Sequence, residues 1–186
     1  MLRNLLIVVV IVLTSVVCSV QAAQVNSTWV GGYGDWGSAT MWNPVIVPNN
    51  NGSQTFAVTI DGSSETADVQ IGGSFTINSL ATYGDVDLQN WGEPILGLTV
   101  LNGLNNYGEL ELQVSIFGDV INNSNAYMHF YTHINIYGDL INSANATMEF
   151  QNIDMDVEGN GDGGRIINNG LIQCSENGGP GEESLF

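Results

Sequence analysis

The segment Phe117-Gly118-Asp119-Val120-Ile121-Asn122-Asn123-Ser124-Asn125-Ala126 returns twenty residues later as Tyr137-Gly138-Asp139-Leu140-Ile141-Asn142-Ser143-Ala144-Asn145-Ala146. Degenerate copies flank the pair, Leu104-Asn105-Asn106-Tyr107-Gly108-Glu109-Leu110 before it and Ile166-Ile167-Asn168-Asn169-Gly170-Leu171-Ile172 after it. The unit reads as an aromatic residue, Gly-Asp, two apolar residues, an Asn-rich turn and an alternating strand. So short a unit cannot bury its own apolar face, and stacking copies into coils is the arrangement that can. The expected fold class is therefore all-β, a parallel β-helix or β-solenoid. Asn106, Asn122, Asn142 and Asn168 fall at equivalent turns, where they can hydrogen-bond in a column and tolerate left-handed backbone. An antiparallel β-sandwich with two similar hairpins is the competing arrangement.

Strand patterning extends beyond the repeat, and no stretch of a dozen residues carries helical apolar spacing. Phe56-Ala57-Val58-Thr59-Ile60 alternates and meets the turn pair Asp61-Gly62, and Phe75-Thr76-Ile77 follows Gly72-Gly73. Leu110, Leu112, Val114 and Ile116 alternate through one strand and are expected in the core. At the start of the chain, Arg3, the apolar run beginning at Leu5 and the small-residue site Val20-Gln21-Ala22 form a secretory signal. The run ends by Val17, short of the roughly 18 residues a bilayer demands. A lipoprotein reading through Cys18 is set aside, because Val17 precedes it where Gly, Ala or Ser is wanted. The expected organisation is a signal peptide over 1–22, a Trp- and Gly-rich cap with the first strands over 23–62, and coils over 63–186 that are cut short at the C-terminus.

After the signal, nineteen acidic residues face one arginine, Arg165, and there is no lysine. Binding nucleic acid or an anionic membrane rests on Lys and Arg neutralising phosphate, so both partners are excluded as expectations. A high negative charge also keeps molecules apart in a salty medium. Cys174 is the sole cysteine beyond the signal, so no intramolecular disulfide is available and the fold must rest on packing and hydrogen bonds.

The segment Thr28-Trp29-Val30-Gly31-Gly32-Tyr33-Gly34-Asp35-Trp36, with Met41-Trp42-Asn43-Pro44, Val47-Pro48-Asn49-Asn50 and Val58-Thr59-Ile60-Asp61, resembles the opening of large secreted bacterial β-helix proteins. These are the autotransporter-like and adhesin-like surface proteins of planctomycetes and similar bacteria. The resemblance covers residues 28 to 62 in motif and 98 to 173 in repeat style. It implies a parallel β-helix exposed outside the cell, the N-terminal part of a longer protein, acting in adhesion, matrix or scaffold roles without catalysis. Polysaccharide or other extracellular matrix is the expected partner. Trp29, Trp36 and Trp42 read as a hydrophobic lid over the first coil. The sharper alternative is a stacking platform for sugar rings.

Two constellations could carry chemistry. Asp154, Asp156, Glu158, Asn160 and Asp162 supply oxygens in the order of a calcium loop with Gly159 at its sixth position, although Arg165 stands where a bidentate carboxylate belongs. Calcium is thus the candidate cofactor, against a plain solvated turn. Asp85 with Asp87, and Glu109 with Glu111, place carboxylates two apart on one strand face, as a glycosidase acid and its partner would be. A carbohydrate-active β-helix enzyme is therefore the alternative function. His129 and His133 share a strand face but have no carboxylate close in sequence to complete a metal site. The sequons at Asn26, Asn51, Asn122 and Asn145 matter only in a eukaryotic secretory pathway.

Overall fold

A computed structural model describes residues 22–90, 97–131, 134–151, 155–157 and 164–175. The signal segment lies outside these residues, except for Ala22. Among the described residues no helix is long and apolar enough to cross a membrane.

The repeat folds as three short strands per coil, each lying in register over its counterpart in the coil before. The first column holds β8 (Leu104–Asn106), β11 (Val120–Asn122), β14 (Leu140–Asn142) and β17 (Ile166–Asn168). The second holds β9 (Glu109–Gln113), β12 (Tyr127–Tyr131), β15 (Thr147–Gln151) and β18 (Leu171–Ser175). The third holds β5 (Phe75–Ile77), β7 (Gly97–Val100), β10 (Ser115–Phe117), β13 (Ile134–Ile136) and β16 (Met155–Val157). Toward the N-terminus β4 (Gln54–Gln70) and β6 (Ser79–Gln89) are long strands that each run through the first two columns. Every coil-to-coil pair is parallel, which settles the fold as a β-solenoid.

Inward positions repeat down each column. Val58, Leu80, Leu104, Val120 and Leu140 stand over one another in the first, and Val69, Leu88, Leu112, Phe130 and Phe150 in the second. Phe130 and Phe150 stack with ring centroids 4.8 Å apart. The inward position after Val58 begins as Ile60, becomes Thr82, and is then asparagine in every further coil described: Asn106, Asn122, Asn142 and Asn168.

These asparagines form the expected column of hydrogen bonds. Thr82 Oγ1 donates to Asn106 Oδ1 at 3.0 Å, Asn106 Nδ2 to Asn122 Oδ1 at 2.9 Å, Asn122 Nδ2 to Asn142 Oδ1 at 3.0 Å and Asn142 Nδ2 to Asn168 Oδ1 at 2.9 Å. Each inner amide also donates to a backbone carbonyl of the next coil: Asn106 to Tyr127, Asn122 to Thr147 and Asn142 to Leu171. The left-handed backbone falls elsewhere than expected, at Asn125 (φ 66°) and Asn145 (φ 62°), three residues along the same turns. The ladder asparagines sit in strands with extended backbone, and the chain reverses only after them.

The Gly-Asp of the repeat marks the corner leading into the first column. A Cβ on Gly138 would lie 2.5 Å from the Gly118 backbone, so only glycine lets these corners approach. Asp119 Oδ1 then accepts the Asp139 N–H at 2.9 Å, and Asp139 Oδ1 accepts that of Arg165 at 3.2 Å. The preceding aromatics stack outside, Phe117 on Tyr137 at 4.4 Å.

Two strand expectations are corrected. Leu110, Leu112, Val114 and Ile116 are all buried, but the chain turns at Val114 and passes from the second column to the third, because alternation survives a corner made around one core. Asp61-Gly62 does not end a strand either. Gly62 still pairs with Gly84, and β4 continues beyond a bulge to Gln70, so the boundary drawn after Gly62 falls inside β4.

Replacing Asn122 by Ala removes one acceptor of the Asn106 amide and the donor to Asn142 Oδ1 and the Thr147 carbonyl inside the core. At about 1–3 kcal/mol per buried unsatisfied group, the loss of stability is expected to reach at least about 2 kcal/mol. Asn105→Ala, at an outward position, should cost less than about 0.5 kcal/mol. Urea titrations of both variants check the contrast.

Candidate functional site

The outer face of the second column gathers the polar chemistry. Alternation puts Ala67, Val86, Leu110, Met128 and Met148 in the core, which turns their neighbours outward. In-register pairing then builds files of side chains along the solenoid, one rung every 4.7–4.9 Å or about that. The central file is Asp68, Asp87, Glu111, His129, Glu149 and Gln173. Beside it run Asp85, Glu109, Tyr127 and Thr147 on one side, and Gln70, Gln89 and Gln113 on the other, with Tyr131, Gln151 and Ser175 further along.

The expected pairs Asp85/Asp87 and Glu109/Glu111 do face outward, and the structure adds that they occupy consecutive rungs. Asp85 stands beside Glu109 and Asp87 beside Glu111, four carboxylates on two strands. Amides and hydroxyls restrain several of them. Gln70 Nε2 donates to Asp68 Oδ1 at 2.7 Å and to Gln89 Oε1 at 3.0 Å, while Gln89 Nε2 donates to Asp87 Oδ2. Thr66 Oγ1 donates to Asp85 Oδ2 at 2.6 Å. The Tyr127 hydroxyl donates to Glu149 Oε2 and the Ser175 hydroxyl to Glu149 Oε1 at 2.7 Å. Three buried polar atoms on the face have no partner: Gln70 Oε1, Asp87 Oδ1 and His129 Nε2.

The electrostatics diverge along the file. Burial pushes the Asp87 carboxyl up to about 6, opposed by the Gln89 amide and reinforced by Glu111, Asp68 and Asp85. Glu149 goes the other way, held below the ordinary range by hydrogen bonds from Tyr127 and Ser175. Burial raises the Tyr127 and Tyr131 hydroxyls, and the carboxylates each one meets, Glu149 and Glu111, raise them further.

His129 is where sequence reasoning fell short. It has no carboxylate close in sequence, yet Glu111 and Glu149 flank it on the neighbouring rungs, and its ring lies 3.8 Å from that of Tyr131. Aligning the two close copies of the repeat places Glu149 beneath His129, and that signal was available. His133 lies outside the described residues.

The three tryptophans form a buried aromatic cluster near the N-terminus. Trp29, Trp36 and Trp42 are 4%, 0% and 1% exposed, and Trp42 meets Trp29 at 4.9 Å and Trp36 at 4.8 Å, edge to face. Their Nε1–H groups donate to the carbonyls of Gly32, Pro48 and Trp36. The strand carrying Trp29, β1 (Ala23–Trp29), pairs antiparallel with β3 (Trp42–Asn43), and Trp36 packs on Phe75. The platform reading is thereby corrected, since rings enclosed in this way offer no open face to a sugar. Of the candidate calcium ligands, Asp154, Glu158, Asn160 and Asp162 lie outside the described residues, as does the side chain of Asp156. Among the described residues no group of three or more His, Cys, Asp or Glu could hold a metal ion.

Comparison of the chain with protein-family models, curated proteins and solved structures finds no match.

Asp87 carries a pH signature. Its carboxyl ionises near 3.8 ordinarily and near 6 in the fold, so the folded state takes up the proton first as pH falls. The stability attributable to Asp87 therefore rises as pH drops from about 7 through 6 and levels off below about 4. Asp87→Asn fixes the neutral form. Allowing for solvent screening at a half-open group, it should stabilise by about 1 kcal/mol at pH 7.5, a rise in Tm of roughly 2–4 °C. The gain should shrink at pH 4, and calorimetric melts at both pH values check it; a larger gain at pH 4 would contradict the assignment.

Proposed function

We propose that this chain is a noncatalytic extracellular or cell-surface β-helix module, exported through residues 1–22, that acts in adhesion to polysaccharide of the surrounding matrix. The observation that carries this reading is the outer face of β6, β9, β12 and β15. On it carboxylates and amides stand in register over consecutive rungs, with the rings of Tyr127 and Tyr131 on the β12 rung. An extended polymer meets such a face along its length, with hydroxyls hydrogen-bonding the acids and amides and ring faces resting on the tyrosines. The resemblance of residues 28–62 to secreted β-helix surface proteins supports the same reading.

A second reading is favoured by one observation. Asp87, with its carboxyl raised to about 6, stands one rung from Glu111, and an acid held above the ordinary carboxylate range beside a second carboxylate is the kind of pair a glycosidase uses.

Co-sedimentation with insoluble polysaccharides, combined with a reducing-sugar assay, separates the two. The adhesive reading expects the full chain to pellet with at least one polysaccharide and to release no reducing ends. Release that disappears in both Asp87→Asn and Glu111→Gln would replace it with the glycosidase. Failure to pellet with any polysaccharide would remove the adhesive reading.

A further inference from the structure

Resting on that reading, we propose that the polymer held on this face is cationic, an amino-sugar polysaccharide whose free ammonium groups sit along Asp68, Asp87 and Glu111. Parallel pairing stands these three carboxylates on consecutive rungs, and like charges placed side by side across strands repel. The chain brings no lysine or arginine to them. Beyond the signal segment its single Lys or Arg is Arg165, whose guanidinium is bound to Asp139 at 2.5 Å, and His129 neighbours Glu111 but neither Asp68 nor Asp87. The counter-charge has to come from outside.

Gln70 points to the same kind of ligand independently of the acids. It is 6% exposed, its Nε2 is committed to Asp68 and Gln89, and its Oε1 is buried on this face without a donor. Asp87 Oδ1 is enclosed and unpartnered in the same way. What the file lacks is donors, and an ammonium group brings three of them and no acceptor. A neutral sugar hydroxyl brings one donor along with lone pairs that meet only more acceptors. The aromatic rung favours a glycan over a basic peptide. Tyr127, His129 and Tyr131 follow the carboxylate rungs on the same sheet, with the His129 and Tyr131 rings in contact, and saccharide rings have C–H faces to lay against them.

The test is calorimetric titration of the full chain with glucosamine oligomers, with N-acetylglucosamine oligomers of equal length and with oligolysine. The glucosamine oligomers should bind and the acetylated ones much more weakly. Affinity should fall as salt is added, since exposed charges are screened over about 10 Å at 0.1 M. Asp87→Asn and Glu111→Gln should each weaken binding by about tenfold, the scale of one charge-assisted hydrogen bond. Asp119→Asn, which removes a carboxylate at the corner before the first column, should leave it unchanged. Melting curves confirm that the variants fold. Equal affinity for acetylated and free oligomers would overturn the cationic ligand while leaving adhesion to polysaccharide standing. Tighter binding of oligolysine, lost in the same two variants, would overturn it in favour of a basic protein. Binding to no polysaccharide of any kind would take down both readings.

Discussion

Each buried asparagine in the first column uses both hydrogens of its amide on the coil that follows, one for the next asparagine and one for a backbone carbonyl. Its Oδ1 accepts from the coil before. Apolar stacking of Leu on Val or Met on Leu tolerates a two-residue slip, which keeps the same side chains inward; a buried amide does not, because a slipped strand would leave unsatisfied donors and acceptors at every rung. The ladder therefore fixes register where hydrophobic packing alone would leave it loose. Thr82 starts it, and Ile60 in the coil above shows where apolar packing gives way to the amide column.

Register fixed inside is register imposed outside. The coils that set Asn106 over Thr82 also set Glu111 beside Asp87, and those that set Asn122 over Asn106 set His129 beside Glu111. The outer files are a consequence of one inner constraint, and their composition is then free to serve a ligand. On the outer edge of the first column the same logic stacks Tyr83 on Tyr107 at 5.1 Å, and at the corner before it Phe117 on Tyr137, pairs that lie far apart in the chain.

The solenoid and its amide column were legible because a repeat encodes its own contacts: equivalent residues in successive copies must meet. Legibility failed where copies differ in length. Asp87 to Glu111 spans twenty-four residues and Glu111 to His129 eighteen, so no constant offset predicts that these three share a file. It failed again at Val114, because a strand that bends around a core keeps its alternation and the sequence does not mark the corner. The tryptophans illustrate a third limit. Pattern alone cannot distinguish a ring that closes a core from one that meets solvent, and only the burial of Trp36 beneath Trp42 and Phe75 separates the two.

Asp87 is the place where stability and surface chemistry pull in opposite directions. Its outward position is dictated by Val86 and Leu88 in the core, and its neighbours Asp68 and Glu111 are dictated by register, so the fold cannot move the charge away. The carboxyl is half-enclosed, raised toward 6, and left with one oxygen unpaired, while Glu149 three rungs along is fully hydrogen-bonded and held low. Supplying a hydroxyl donor suffices to settle Glu149, as Tyr127 and Ser175 do, so the fold has the means to settle a carboxylate on this face. At Asp87 it uses only the Gln89 amide. A carboxylate left short of donors on a face where Glu149 has two is poised for a ligand that brings its own.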